Sequence, residues 1–284
     1  FTFKVAVTID GDRCVIDYAG TEAQVGRAIN CCMTYTFAMS AYAMKAALLP
    51  DLPNNEGIFR TIEVTAPEGT IVNPKRPVAV GGRMATGHYL PPLIFGALAK
   101  VLPEQVMAAA GSPLWSIIQT GVDAAGRTYA NTLFFNTGTG ATAKVDGQNC
   151  FSWPSNISNV PIELVERNTP LFVGRKALRD GSGGAGRRRG GLGQEIEITV
   201  ESDTPVGIIF MAERLAYPAE GLNGGASGTL GEVLIDGVPT DVRADHVLTK
   251  GQTITLRTPG GGGFGDPAER ETERAAADSR GGYG

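Results

Sequence analysis

The segment Asp180-Gly181-Ser182-Gly183-Gly184-Ala185-Gly186-Arg187-Arg188-Arg189-Gly190-Gly191-Leu192-Gly193 constrains the fold more than any other stretch. Seven of its fourteen residues are glycine, three are adjacent arginines, and only Leu192 suits a hydrophobic core. Such a segment is a loop, since each glycine costs roughly 0.5–1 kcal/mol relative to alanine in a regular element. Glycine is favoured where the backbone takes positive φ or approaches a neighbour closely. Two readings are open. One is an oxyanion cradle, with backbone N–H groups forming a nest and guanidinium forks supplying charge. The other is a tight structural crossing or subunit contact whose arginines are solvated or paired with acidic neighbours.

Nucleotide motifs fail here on chemistry and on context. Residues 181–188 approach the phosphate loop G-x-x-x-x-G-K-[ST], but Arg187 stands in place of the lysine and Arg188 in place of the magnesium-binding hydroxyl. The string from Gly181 to Gly186 satisfies G-x-G-x-x-G, yet it leads into the alternating pattern of residues 194–200 rather than into a helix. A second such string, Gly260 to Gly265, is followed by Asp266-Pro267 and a helical run through Ala277, but the chain lacks the later strand and ribose-binding acid of a dinucleotide site.

The remaining composition sets the class. The 284 residues are 42% hydrophobic and 19% charged, enough for a large core in one large or two closely packed domains. A net charge of −4, with residues 187–189 as the only basic cluster, argues against nucleic-acid binding. The 39 glycines and 17 prolines imply many turns and a strand-rich chain. Cys14, Cys31, Cys32 and Cys150 have no metal-type spacing and read as free thiols. No leader and no run of 18 apolar residues is present, so a cytoplasmic protein without membrane contact is expected. The opening strand pattern without a methionine suggests part of something longer.

In chain order, residues 1–9 and 14–18 alternate about Asp10-Gly11 and predict a β-hairpin. A polar loop follows, then residues 33–49 read as a helix apolar nearly all round and ended by Pro50. Residues 58–65 read as a strand and residues 91–101 as a second apolar helix begun by paired prolines. Between them lies His88, either a general base or a cap or packing residue; His246 sits in an ordinary strand-and-turn region. From Ser112 the pattern turns β, with strands expected at 115–120, 128–135, 162–166, 194–200, 206–211, 231–236 and 253–258. Within this half Asn156, Asn159 and Glu163 either face a ligand or bond their own backbone. Neither Ser182 nor Ser227 sits in G-x-S-x-G, which argues against a serine amidase. The fold expected is α+β: antiparallel-rich sheets, two apolar helices in residues 1–111, and a β-rich portion in residues 112–284.

Six motifs in order then resemble the hydantoinase B/oxoprolinase family: Asp17-Tyr18-Ala19-Gly20-Thr21 with Gln24 and Asn30; Leu52 to Gly57; Ala66 to Thr70 with Asn73-Pro74; Asn156 to Glu163; Asp180 to Gly193; and Pro259 to Pro267. The resemblance implies half of a two-component machine. A hydantoinase A-like ATPase subunit, using ATP and Mg, phosphorylates the substrate carbonyl. The B component then completes hydrolysis of a small cyclic amide (a hydantoin, oxoproline or lactam) or, in relatives, carboxylation of a ketone. A non-catalytic assembly subunit is the competing reading. Family B components are about twice as long, and the residues holding their Zn or Mn lie in an N-terminal half that this chain lacks, so no metal ligand is expected here. The resemblance also implies site roles: His88, Arg187 and Arg189 as catalytic candidates, and Asn156, Asn159, Ser182, Gly183 and Gly184 as substrate or partner contacts. Where the family has an asparagine and a Thr-Ser-Gln run, this chain reads Gly82-Arg83-Met84-Ala85-Thr86-Gly87-His88.

Overall fold

β1 (Ala6–Asp10) and β2 (Arg13–Asp17) form the expected hairpin, with Asp10 paired to Arg13 and Gly11 at φ +58° in the turn. β3 (Ile62–Thr65) adds to β2 in parallel, giving a three-stranded sheet in the order β1-β2-β3. In the computed structural model, which describes residues 1–122 and 126–283, this sheet belongs to the first of two compact units, Phe1–Met107 and Ala108–Gly284.

The first unit is built around α1 (Met33–Leu48), which packs on α4 (Leu90–Leu98) and on β3. α1 buries Thr36, Ser40, Ala43, Met44 and Ala47, a helical spacing that puts one small-residue face inward. Its polar members are satisfied. The Thr36 hydroxyl donates to the Val72 carbonyl, Ser40 donates to the Thr36 carbonyl, and the Tyr18 hydroxyl lies 2.7 Å from Ser40 Oγ. Residues 58–61 are not strand: a short helix, α2 (Glu56–Phe59), occupies the start of that segment because Asn55 caps it by accepting from the Ile58 amide. A further single turn, α3 (Met84–Gly87), precedes α4.

The second unit is a sandwich of two antiparallel sheets. One has the order β10 (Val238–Pro239), β9 (Glu232–Ile235), β12 (Thr253–Arg257), β7 (Gln194–Val200), β6 (Leu171–Leu178); the other β11 (His246–Leu248), β8 (Val206–Met211), β4 (Trp115–Val122), β5 (Thr128–Phe135). Alternate residues face inward, so Ile196, Ile198 and Val200 of β7 share a core with Trp115, Ile117, Ile208, Phe210, Ile254 and Leu256. Residues 162–166, expected as a strand, are instead the helix α5 (Ile162–Asn168). Pro161 precedes its first turn, and the partly buried Ile162 and Val165 stand three residues apart, on one helical face. α6 (Thr272–Gly281) follows a single 3₁₀ turn at Pro267–Glu269. The sheets confirm the α+β, antiparallel-rich expectation, with β2–β3 as a parallel pair.

Candidate functional site

The glycine segments of the second unit converge on one extended strand of chain, residues 259–264, which is buried and belongs to neither sheet. Its successive residues bond in three different directions. Gly261 donates to the Gly191 carbonyl and accepts from the Gly184 amide; Gly262 donates to Ala109 and accepts from Ala141; Gly263 donates to Ala226 and accepts from Leu222. A backbone that turns about 120° per residue, as a three-residue-per-turn helix does, aims its peptide groups this way. The result is a lattice of extended segments around an axial one.

Close packing explains the glycines. A Cβ on Gly261 would stand 1.9 Å from the Thr139 carbonyl oxygen, one on Gly190 2.0 Å from the Gly261 oxygen, and one on Gly262 2.1 Å from the Glu220 oxygen. These obstacles are backbone and cannot swing away. Of the two roles expected for glycine in residues 180–193, close approach dominates; among them only Gly181 has positive φ, at +63°.

The arginine loop is therefore a member of this lattice. Most of its N–H groups are engaged inside the protein: Gly184 with Gly261, Arg187 with Gly265, Arg188 with Phe264, Gly190 with Gly184 and Gly191 with Thr139. Ser182 is fully buried, and its hydroxyl donates to the Arg179 carbonyl at 2.6 Å and accepts from the Gly193 amide at 3.0 Å. Gly183 and Gly184 press against the backbone of Gly190 and Ala226. Such a loop is held rigidly.

The three guanidiniums meet carboxylates carried just past the axial segment. Arg187 lies 3.8 Å from Glu269, Arg188 3.1 Å from Glu271, and Arg189 3.5 Å from Asp278, while Tyr283 stacks 5.1 Å from Arg189. Arg270 ties the cluster together, bonding Asp146 through both its Nη atoms at 2.9 and 3.2 Å and Asp278 at 2.6 Å. Burial would push the Asp146 carboxyl up, but the Arg270 fork and the Arg189 amide, donating at 2.7 Å, outweigh it and hold the group below its usual range. Arg189 is 11% exposed and Arg187 40%. Arg187 is the more exposed of the pair.

The other expected residues are separately placed. Asn156 and Asn159 are exposed in the loop before α5, Asn156 with φ +52° and its amide bonded to the Ser152 carbonyl. His88 belongs to the first unit, 1% exposed, where it follows α3 as its C-cap. Burial lowers its pKa to about 4, so the imidazole is neutral at pH 7, and Nδ1 has no hydrogen-bond partner. His246 bonds the Asp241 carbonyl through Nε2. Among the described residues no three His, Cys, Asp or Glu side chains come together to hold a metal, and no helix is long and apolar enough to cross a membrane. Asp146, Asn149 and Arg270, which fix the arginine loop, were not anticipated; Asp146 and Arg270 are 124 residues apart and no local pattern links them.

Comparison with known proteins places this architecture. A protein of Methanocaldococcus jannaschii is 36% identical over 273 residues, covering 94% of this chain and 47% of its own length. The 5-oxoprolinase PfmaA of Pestalotiopsis fici is 28% identical, covering 93% of this chain and 21% of its own. The crystal structure of the ATP-dependent caprolactamase from Pseudomonas jessenii superposes with a TM-score of 0.86 at 25% identity, over 99% of this chain and 51% of that one. The chain thus spans about half the length of the first relative and about a fifth of the second. Residues 1–267 match the family model for hydantoinase B/oxoprolinase, and the chain belongs to that family.

Proposed function

We propose that this chain is part of an ATP-dependent hydrolase of cyclic amides, a hydantoin, oxoproline or lactam. In this reading a hydantoinase A-like ATPase subunit, with ATP and Mg, phosphorylates the substrate carbonyl. The chain itself forms the C-terminal half of a B-like component, and the remaining half carries the Zn or Mn. The observation that carries the reading is the family match over residues 1–267, together with relatives named for opening oxoproline and caprolactam rings. Among the described residues no three His, Cys, Asp or Glu side chains come together to hold that metal.

Roles follow from exposure and charge. Arg187, half open and held on a rigid loop, is proposed to stabilise anionic charge as the amide carbonyl is activated, an effect that can contribute roughly 3–4 kcal/mol to a barrier. Arg189 is proposed as a positioning residue for that loop, since its guanidinium is bonded to the Gly190 carbonyl and to Asn149. Asn156 and Asn159, exposed before α5, are proposed to orient substrate. His88, a neutral imidazole at pH 7, is proposed to orient substrate by hydrogen bonding rather than to carry a proton.

The test is reconstitution with a hydantoinase A-like subunit and the remaining B-like half, measuring ADP and ring-opened product. Turnover of ATP that depends on hydantoin, 5-oxoproline or caprolactam is expected, with Arg187→Gln lowering kcat by about a hundredfold. ATP-dependent carboxylation of acetone in the absence of ring opening would replace this reading with the ketone carboxylase, and a fully active assembly lacking this chain would leave it a scaffold.

A further inference from the structure

Between Glu22 and Asp51, and again between Glu68 and Glu104, the chain has no carboxylate side chain at all, although its net charge is −4. Both acid-free stretches lie in the first unit, and their loops are fastened side by side. Asn30, fully buried, donates through Nδ2 to the carbonyls of Val25, Arg27 and Ala79 and accepts from the Val25 amide. The Gly82 amide donates to the Ala28 carbonyl at 2.7 Å, and Gln24 accepts from the Lys75 amide at 2.6 Å. These bonds bring the backbones that carry Arg27, Arg76 and Arg83 together.

All three guanidiniums are on exposed residues. Among the described residues none of the three has an ion pair, whereas Lys75 beside them reaches Glu68. The Arg83 guanidinium lies 5.4 Å from the centroid of the Tyr35 ring. The glycines of the two loops leave this face uncrowded. A Cβ on Gly26 or Gly81 would meet nothing within 4 Å, and neither has positive φ, so neither packing nor backbone conformation within the chain requires glycine there. The space above both is open.

We propose that Arg27, Arg76 and Arg83, carried on the two loops that Asn30 fastens together, form a binding site for an oxyanion group, phosphate or carboxylate, of a small molecule. Guanidinium forks take such groups in two parallel charge-assisted hydrogen bonds, and a face with no nearby carboxylate leaves the forks free to do so. The site stands on the loop geometry alone. Identifying its occupant with a phosphorylated cyclic amide, or with one that bears its own carboxylate, rests on the proposed hydrolase function.

Binding to the purified chain is measured by calorimetry with three probes: inorganic phosphate, 5-oxoproline, and 2-pyrrolidinone, which keeps the ring but lacks the carboxylate. Arg27→Gln, Arg76→Gln and Arg83→Gln are compared singly and combined, with Arg13→Gln as a control on an exposed arginine that already has a partner. Circular dichroism confirms that each variant is folded. Phosphate binding that weakens about tenfold or more in the variants, and not in the control, supports the site and identifies a phosphoryl group. Binding of 5-oxoproline but not of phosphate or pyrrolidinone, with the same loss, supports it and identifies a substrate carboxylate. Absence of binding by either anion, or equal binding by the combined variant, overturns it. Cyclic-amide turnover in the reconstituted enzyme that survives the combined variant unchanged would overturn the identification of its occupant with the cyclic-amide substrate while leaving the hydrolase reading intact.

Discussion

A single histidine sets one pH limit of the fold. His88 binds its proton less well folded, near pH 4, than unfolded, near 6.5. Its contribution is therefore complete above about pH 6.5 and is lost as pH falls toward about 4, a cost reaching about 3 kcal/mol at the lower end. Urea midpoints measured at pH 7.5 and 5 should separate clearly in the wild type and converge in His88→Phe. Glycine supplies the opposite kind of test, since its worth depends on what surrounds it. Gly261→Ala places a methyl 1.9 Å from the Thr139 oxygen and should cost more than the roughly 1–3 kcal/mol of ordinary overpacking. Gly96→Ala, inside α4 with nothing within 4 Å, should raise stability by about 0.5–1 kcal/mol. Thermal melts of the two variants should shift in opposite directions.

At the scale of the element, α6 and the turn before it act as the counter-charge to the arginine loop. Asp146→Asn removes the two-pronged bond to Arg270 and should cost about 2–3 kcal/mol at pH 7. Because the Asp146 carboxyl is held below its usual range, its stabilisation is present above about pH 4 and fades as pH falls through the lowered value. Denaturation curves at pH 7 and 3 should therefore differ less in the variant. Elements whose partners are regular were legible in the sequence. β5, β7 and β8 lie where residue alternation puts them, because one buried and one wet face impose a period of two. α5 was not, because Ile162 and Leu164 mimic a strand while the burial runs through Ile162 and Val165. β6 escaped notice because Arg175 and Lys176 break its alternation beside a bulge between Val173 and Arg175. Of the candidate site, the bonding between Arg189 and Asp146 left no local trace, and the lattice, with partners far apart in sequence, has no short-range period to read. The glycine count signalled that something approached closely; it did not say what.

For the molecule as a whole, the lattice replaces side-chain packing with backbone packing. Its amides at Gly261, Gly262 and Gly263 are buried and bonded on every side, so their hydrogen exchange should proceed only through unfolding of the second unit, as slowly as the core amides of β7. Exchange as fast as in the exposed loop before α5 would contradict that arrangement. The order of the chain carries a further consequence. Every neighbour of the axial segment, from Ala109 through Ala141, Gly184, Gly191 and Leu222 to Ala226, precedes it in sequence. Those segments bond one another as well as residues 259–264, and the contacts are almost all between residues far apart in sequence. Contacts of that separation carry the entropy of closing long loops, so the lattice should form more slowly than structure built from local contacts.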